Sequence, residues 1–188
     1  TARGLPHGSH GGVGAPVGID WAGEVVEAGA EVQGNFKPGD RVMCSGTGGY
    51  AEYAVTDWGR VYPIPDGMSF EQAATLPVAL ATLHNALVTA GRLQAGESVM
   101  IQGASSGVGL MGLQIARLKG AKLVIGTSTN DARRARLKEF GADLAIDTRD
   151  PAWPDEVKKA TDGKGVNLVV DMLSGPVVAQ TMKAMALL

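Results

Sequence analysis

From Ser98 onward the chain is metrical. Candidate strands begin near Ser98, Ala121, Ala142 and Gly165, at intervals of about 22 residues, and each is followed by a helical segment. A unit of that length is one strand plus one crossover helix. A succession of such units implies a parallel sheet with right-handed crossovers. Gly120 and Gly141 stand where helix C-caps belong, Asn130 is placed as an N-cap, and a last helix is predicted from about Pro176. No room remains for the fifth and sixth strands of a six-stranded doubly wound sheet, so the chain is expected to be truncated.

The first of these units carries the most specific chemistry. Ser98 to Ile101 is a short apolar strand, Gly103-Ala104-Ser105-Ser106 a turn of small residues, and the following helix is predicted to place Val108, Met111, Ile115 and Leu118 on one face. Small residues let a backbone approach a phosphate, and the helix start offers free N–H groups and the positive end of its dipole. Set on the dinucleotide fingerprint, Ala104, Ser106 and Gly109 occupy the three key positions. Gly109 would keep the helix close to the sheet, and the Ser106 hydroxyl would donate to a phosphate oxygen. The plainer alternative is a tight strand-to-helix turn that binds nothing.

Readers of NAD place an acid on the ribose hydroxyls at the end of the second strand. Here Leu123-Val124-Ile125 is followed by Gly126-Thr127-Ser128-Thr129, with no carboxylate before Asp131, which is better placed to favour a helix N-terminus. Arg133 and Arg134 come next. Hydroxyl donors and a cation suit a 2′-phosphate, so NADPH is favoured over NADH. Alternatively, both arginines are the solvated face of a helix.

The amino-terminal part reads differently. Residues 1–18 are glycine-rich and aperiodic; His7 and His10 lack a neighbouring carboxylate or thiol and read as a solvated loop or tag remnant rather than a metal clip. Short strands are predicted within 19–32, at 41–43, at Tyr50–Val55 and at 61–64, with Pro63 and Pro65 marking an edge, and a Lys37-Pro38-Gly39-Asp40 turn between the first two. They suggest a small antiparallel unit over about residues 19–65. Ser69 and Gln72 fit a capping box. The helix it opens is predicted to break at Pro77, with a second one over about Ala79 to Thr89 ended by Gly91.

Composition narrows the class. Hydrophobic residues make up 45% of the 188 and charged residues 19%, enough apolar material for a core. A net charge of -2 gives no basic field, so no nucleic-acid partner is expected. Cys44 is the only cysteine, which rules out an internal disulfide and points to a reducing compartment. No run approaches the ~20 apolar residues of a membrane span and no signal pattern opens the chain, so a cytoplasmic protein without membrane contact is expected.

Four motifs in this order and spacing carry a resemblance: Gly39-Asp40-Arg41-Val42, Gly49-Tyr50-Ala51-Glu52-Tyr53, Ala73-Ala74-Thr75-Leu76-Pro77, and Gly103-Ala104-Ser105-Ser106-Gly107-Val108-Gly109. From about Gly18 to its last residue the chain resembles the medium-chain dehydrogenase/reductase superfamily, in its zinc-free quinone oxidoreductase (zeta-crystallin-like) branch. The resemblance implies an α/β fold: a partial GroES-like antiparallel β domain over residues 1–85, then a partial Rossmann-type doubly wound parallel sheet over 86–188, both ends truncated. Nicotinamide would lie in the cleft between them. It further implies cofactor contacts by Thr82, Ser105, Ser106, Gly107, Val108, Thr127, Ser128 and Arg133. Arg133 falls where relatives commonly have a lysine or arginine for the 2′-phosphate, whereas Thr148 replaces a tyrosine that many relatives use there.

Zinc members of the superfamily have Gly-His-Glu where this chain has Gly18-Ile19-Asp20, and Val78 stands at a later cysteine ligand; no metal is expected. Cys44 reads as a buried small hydrophobe, and His84, beside Leu83 and Leu87, as a packed helix histidine rather than a proton donor. The resemblance implies an NADPH-dependent enzyme passing hydride to a quinone or an α,β-unsaturated carbonyl, and a homodimer, with its catalytic polar residues before Thr1. The alternatives are a cofactor-binding structural or regulatory relative without turnover, or an acrylyl/enoyl thioester reductase.

Overall fold

The computed structural model describes residues 16–32 and 36–186, and the chain divides into two compact units, Thr1–Val78 and Ala79–Leu188. The division drawn at residue 85 from sequence falls inside a helical run that occupies residues 77–90. His7 and His10 lie outside the described residues.

In the first unit, β1 (Asp20–Glu24), β2 (Arg41–Ser45) and β3 (Val61–Pro63) form an antiparallel sheet in that order. Asp20 pairs with Ser45 and Glu24 with Arg41. The turn before β2 is closed by Asp40, whose carboxylate accepts the Lys37 N–H at 2.9 Å. β3 is an edge strand, as Pro63 requires. A small core gathers Met43, Ile64 and Ala73 with Ala22, Met68, Phe70 and Leu76. The Arg41 guanidinium lies over the Phe70 ring at 4.6 Å and donates to the Met68 carbonyl at 2.7 Å.

Three expectations need correction here. Tyr50–Val55 is not a strand: it runs irregularly with Tyr50, Tyr53 and Val55 exposed. Its alternation is genuine, but only Tyr50 finds a backbone partner, the Val17 carbonyl, among the described residues. A period-two pattern without a neighbouring strand forms no ladder. The helix at 77–90 begins at Pro77, two residues early, because proline suits a first helical turn that has no N–H to satisfy. By length and apolar composition the 21-residue stretch Phe70–Ala90 also suffices to cross a membrane. That stretch is nonetheless interrupted between α1 (Phe70–Ala73) and α2 (Pro77–His84), continues as a π-helical turn Asn85–Ala90, and buries Ala73, Leu83 and Leu87 in two protein cores. The capping box is as predicted: Ser69 Oγ accepts the Gln72 N–H at 3.2 Å, and Gln72 Oε1 accepts the Ser69 N–H at 3.1 Å.

The second unit is a four-stranded parallel sheet. β4 (Ser98–Ile101), β5 (Leu123–Thr127), β6 (Leu144–Ile146) and β7 (Leu168–Val170) stand in the order β6-β5-β4-β7. The register aligns Ser98 with Leu123, Ile125 with Leu144 and Val99 with Leu168. Both faces are covered, so β4 is buried at every position. Val99 and Ile101 join Leu83, Leu87, Leu113, Val124 and Leu137 on one side. Met100 joins Ile125, Ile146, Trp153 and Val157 on the other. Helices α3 (Gly107–Leu118), α4 (Asp131–Ala135), α5 (Trp153–Ala160) and α6 (Val177–Ala184) complete the unit.

The predicted face of α3 holds in part: Ile115 is buried and Val108 and Met111 pack against the same core. Gly109, Gly112, Leu113 and Ala116 complete the buried face with Ile115, whereas Leu118, expected there, is 85% exposed. Small residues at helical spacing let the helix settle on the sheet, and that close approach centres the buried face on them rather than on the largest side chains.

Candidate functional site

Strand order reverses beside β4, where β5 and β6 lie to one side and β7 to the other. Ligands of open α/β sheets bind in the crevice at such a switch point, outside the carboxyl ends of the strands. The Gln102–Ser106 turn stands there.

The turn is built on a buried polar scaffold. Gln102 is inaccessible: its N–H donates to the Val170 carbonyl at 2.9 Å, its Nε2 donates to Thr181 Oγ1 at 3.0 Å, and its Oε1 accepts the Thr127 hydroxyl at 2.7 Å. Thr127 Oγ1 in turn accepts the Gly103 N–H at 3.1 Å, and its carbonyl accepts the Ala104 N–H at 2.9 Å. Thr127 is therefore buried beneath the turn with its hydroxyl already committed, and from there it supports the turn. Gly103 has φ +69°, a left-handed conformation that favours glycine. A Cβ on Gly109 would lie 2.6 Å from Ala104 Cα, so glycine there does hold the helix against the turn.

Above this scaffold the helix start faces outward. The Ser106 hydroxyl accepts the Gly109 N–H at 3.1 Å and donates to the Gly103 carbonyl at 3.0 Å. It is an N-cap, with its proton directed to the Gly103 carbonyl. The N–H groups of Ser105, Gly107 and Val108 find no acceptor among the described residues, and a Cβ on Gly107 would meet open space. Ser128 donates its hydroxyl to Ser105 Oγ at 2.8 Å, tying the turn to the end of β5; the Ser105 hydroxyl proton has no acceptor among the described residues. Three backbone donors and one hydroxyl thus converge at the positive end of a helix, an arrangement that suits a pyrophosphate.

Beyond β5 the two arginines part company. Arg134 is largely buried; it donates to the Ser128 carbonyl at 3.0 Å and pairs with Asp131 at 2.9 Å and Asp147 at 3.1 Å. Arg133 is exposed and has no acidic partner among the described residues. The reading of both as merely solvated thus fails for Arg134. Asn130 caps α4 as predicted, accepting the Arg133 N–H at 2.9 Å, and Asp131 occupies its first turn. Hydrogen bonds from Arg134 and Arg149 hold the Asp131 carboxyl below the usual carboxylate range. Arg149 does the same to Asp147.

Thr82 is exposed on α2, one residue before Leu83, whose side chain lies where a Cβ on Gly112 would clash at 2.7 Å. Its helix therefore packs on α3, but no hydrogen bond links Thr82 to the turn. His84 is exposed rather than packed. Gln102, Thr181, Asp147 and Arg149 were not found from sequence. An amide ending an otherwise apolar strand was the one available signal, and it pointed to Gln102.

Residues 4–66 match the alcohol dehydrogenase GroES-like domain, and residues 107–187 match a model described as zinc-binding dehydrogenase. The chain is 36% identical to a rat quinone oxidoreductase over 171 residues, which is 90% of this chain and 51% of the relative. The chain belongs to the medium-chain dehydrogenase/reductase superfamily, in its quinone oxidoreductase branch. Among solved structures it is similar to a Pseudomonas syringae quinone oxidoreductase (31% identity, TM-score 0.79, 90% of this chain and 52% of the other). It is also similar to a mycobacterial protein in complex with NADPH (28% identity, TM-score 0.80, 90% and 53%). It spans about half the length of the quinone oxidoreductases it matches.

The second matching model is described by zinc, but the residues present do not fit that metal. Ile19 and Val78 offer no donor atom. Asp20, beside Ile19, has Oδ1 occupied by the Val78 N–H at 2.8 Å, so it caps the start of α2. Burial raises the pKa of Asp20 and this hydrogen bond opposes the rise. Among the described residues no three His, Cys, Asp or Glu side chains gather closely enough to hold a metal ion. Cys44 is buried, and burial pushes its thiol up to about 11, as fits a small core hydrophobe.

Proposed function

We propose that this chain carries the NADPH-binding part of an oxidoreductase that reduces a quinone or an α,β-unsaturated carbonyl without zinc. The observation that carries the reading is the end of β5, where no acid precedes Asp131 and Arg133 presents a guanidinium without an acidic partner among the described residues. The quinone oxidoreductases it resembles support the acceptor class, and the similar NADPH complex supports the cofactor.

NADPH, when bound, supplies hydride to the acceptor. The N–H groups of Ser105, Gly107 and Val108 and the Ser105 hydroxyl hold the pyrophosphate at the start of α3. Arg133 meets the 2′-phosphate, with Ser128 and Thr129 beside it. Gln102 and Thr127 keep the turn in shape from beneath. Thr82 contributes from α2. The protein acts on a small molecule, as a homodimer in the cytoplasm, with no nucleic-acid partner.

Fluorescence titration tests the cofactor. NADPH is expected to bind at least several-fold more tightly than NADH, and Arg133→Ala is expected to weaken NADPH by about tenfold while leaving NADH unchanged. Equal affinities in the unaltered protein would refute the cofactor assignment. Turnover of a naphthoquinone or a simple enone separates an enzyme from a binding protein, and stoichiometric bound zinc would refute the metal-free reading.

A further inference from the structure

Two carboxylates stand beside the proposed 2′-phosphate subsite, which is where negative charge would do most harm. Asp131 opens α4 shortly after Ser128. Asp147 follows β6, whose Ile146 pairs with Thr127 and accepts the Ser128 N–H at 3.0 Å. Because their arginine contacts hold both carboxyls below the usual range, neither is silenced by protonation at neutral pH. Only pairing can silence them.

The pairing is a closed ring. Arg134 bridges Asp131 and Asp147, and Arg149 bridges the same two, with its Nη2 at 2.6 Å from Asp131 and its Nε at 2.9 Å from Asp147. The two arginines differ in what else they hold. Arg134 also carries the Ser128 carbonyl. Arg149 is half exposed and bonds to nothing but the two carboxylates among the described residues. With Arg149 present, the ring is neutral and Arg133 leaves the subsite one net positive charge. Without it, the excess vanishes.

We propose that Arg149 is a positioning residue for cofactor choice, which neutralises Asp131 and Asp147 so that the cation of Arg133 dominates the 2′-phosphate subsite. This rests on the NADPH reading above.

Calorimetric titration of the full chain with adenosine 2′,5′-bisphosphate, AMP, NADPH and NADH tests it, alongside thermal melts. Arg149→Ala is expected to weaken binding of the two 2′-phosphorylated ligands roughly three- to tenfold, leave AMP and NADH unchanged, and lose most of that effect in 0.5 M salt, where the Debye length falls to about 4 Å. Arg149→Lys should restore most of the loss. Arg149→Ala combined with Asp131→Asn should restore it too, because the exposed charge is then gone. Arg149→Gln serves if the alanine variant does not fold. A wild-type preference for 2′-phosphorylated ligands that Arg149→Ala and Arg149→Gln leave intact would overturn the inference alone. So would equal loss for all four ligands, or a double variant no better than the single. A wild type without the preference would overturn the NADPH reading, and this inference with it.

Discussion

Two glycines of one turn are predicted to answer alanine in opposite ways. At Gly109 the new Cβ would meet Ala104 Cα at 2.6 Å, the Gly103 carbonyl oxygen at 2.7 Å and the Ala104 carbonyl carbon at 2.8 Å. All three are backbone atoms of the turn, so no side chain can swing aside. Ordinary contact begins at 3.4 Å, and α3 must retreat by about 0.8 Å to reach it, loosening Leu113 and Ala116 from the sheet. Overpacking of this kind costs about 1–3 kcal/mol, and the better helix propensity of alanine returns under ~1 kcal/mol. Gly109→Ala is therefore expected to be about 1–2 kcal/mol less stable by urea denaturation. At Gly107 the Cβ meets nothing within 4 Å, and φ is not left-handed. Gly107→Ala should be more stable by about 0.4–1 kcal/mol through the unfolded chain. Its methyl would nevertheless enter the open space at the helix start, and on the proposed reading NADPH affinity should fall about tenfold, equivalent to about 1.4 kcal/mol. A Gly109→Ala variant within 0.5 kcal/mol of wild type would refute the packing argument. A Gly107→Ala variant that binds NADPH normally would show that no pyrophosphate sits on this helix start.

Asp20→Ala should destabilise the first unit by about 1 kcal/mol by removing the cap on Val78, whereas Asp20→Asn keeps an acceptor and should cost less. Burial raises the pKa of Asp20 in the folded state, so the folded protein holds that proton more tightly than the unfolded chain. The stability this contributes is present below the ordinary carboxylate pKa and is lost as pH rises through the raised one. Urea midpoints at pH 4 and pH 7 should thus fall further for wild type than for Asp20→Asn; equal changes would contradict the assignment. With its thiol pushed up to about 11 and 4% of its surface exposed, Cys44 should react with a disulfide reagent at pH 8 only after unfolding, since in the folded protein about one thiol in a thousand is ionised at that pH. Native-state labelling at the rate of a free thiol would overturn that.

What the sequence made legible is what a few neighbouring residues decide together. The Ser69–Gln72 box, the Asn130 cap, the left-handed Gly120 and Gly141, and the parallel order of four strands all rest on local turn chemistry and spacing. Errors arose where a pattern needed a partner to acquire meaning. Tyr50–Val55 alternates like a strand but has no neighbouring strand, and the Leu118 side chain looked like core until the small stripe of α3 claimed that role.

The same distinction runs through the candidate site. The donors at the helix start were readable because phosphate-binding turns are contiguous, but what shapes them is not. Gln102 meets Thr181 across 79 positions, Asp20 meets Val78 across 58, and Arg149 reaches Asp131 across 18. No periodicity links such pairs; only the folded sheet brings them together. Thr127 shows the consequence most clearly. Its place at the end of the second strand marks it as a cofactor contact, yet the buried amide of Gln102 takes its hydroxyl proton and Gly103 fills an acceptor site. A buried hydroxyl must satisfy its nearest polar neighbours before it can serve a ligand. On the proposed reading, cofactor binding therefore depends on the donors that the scaffold leaves over, at Ser105, Gly107, Val108 and Arg133.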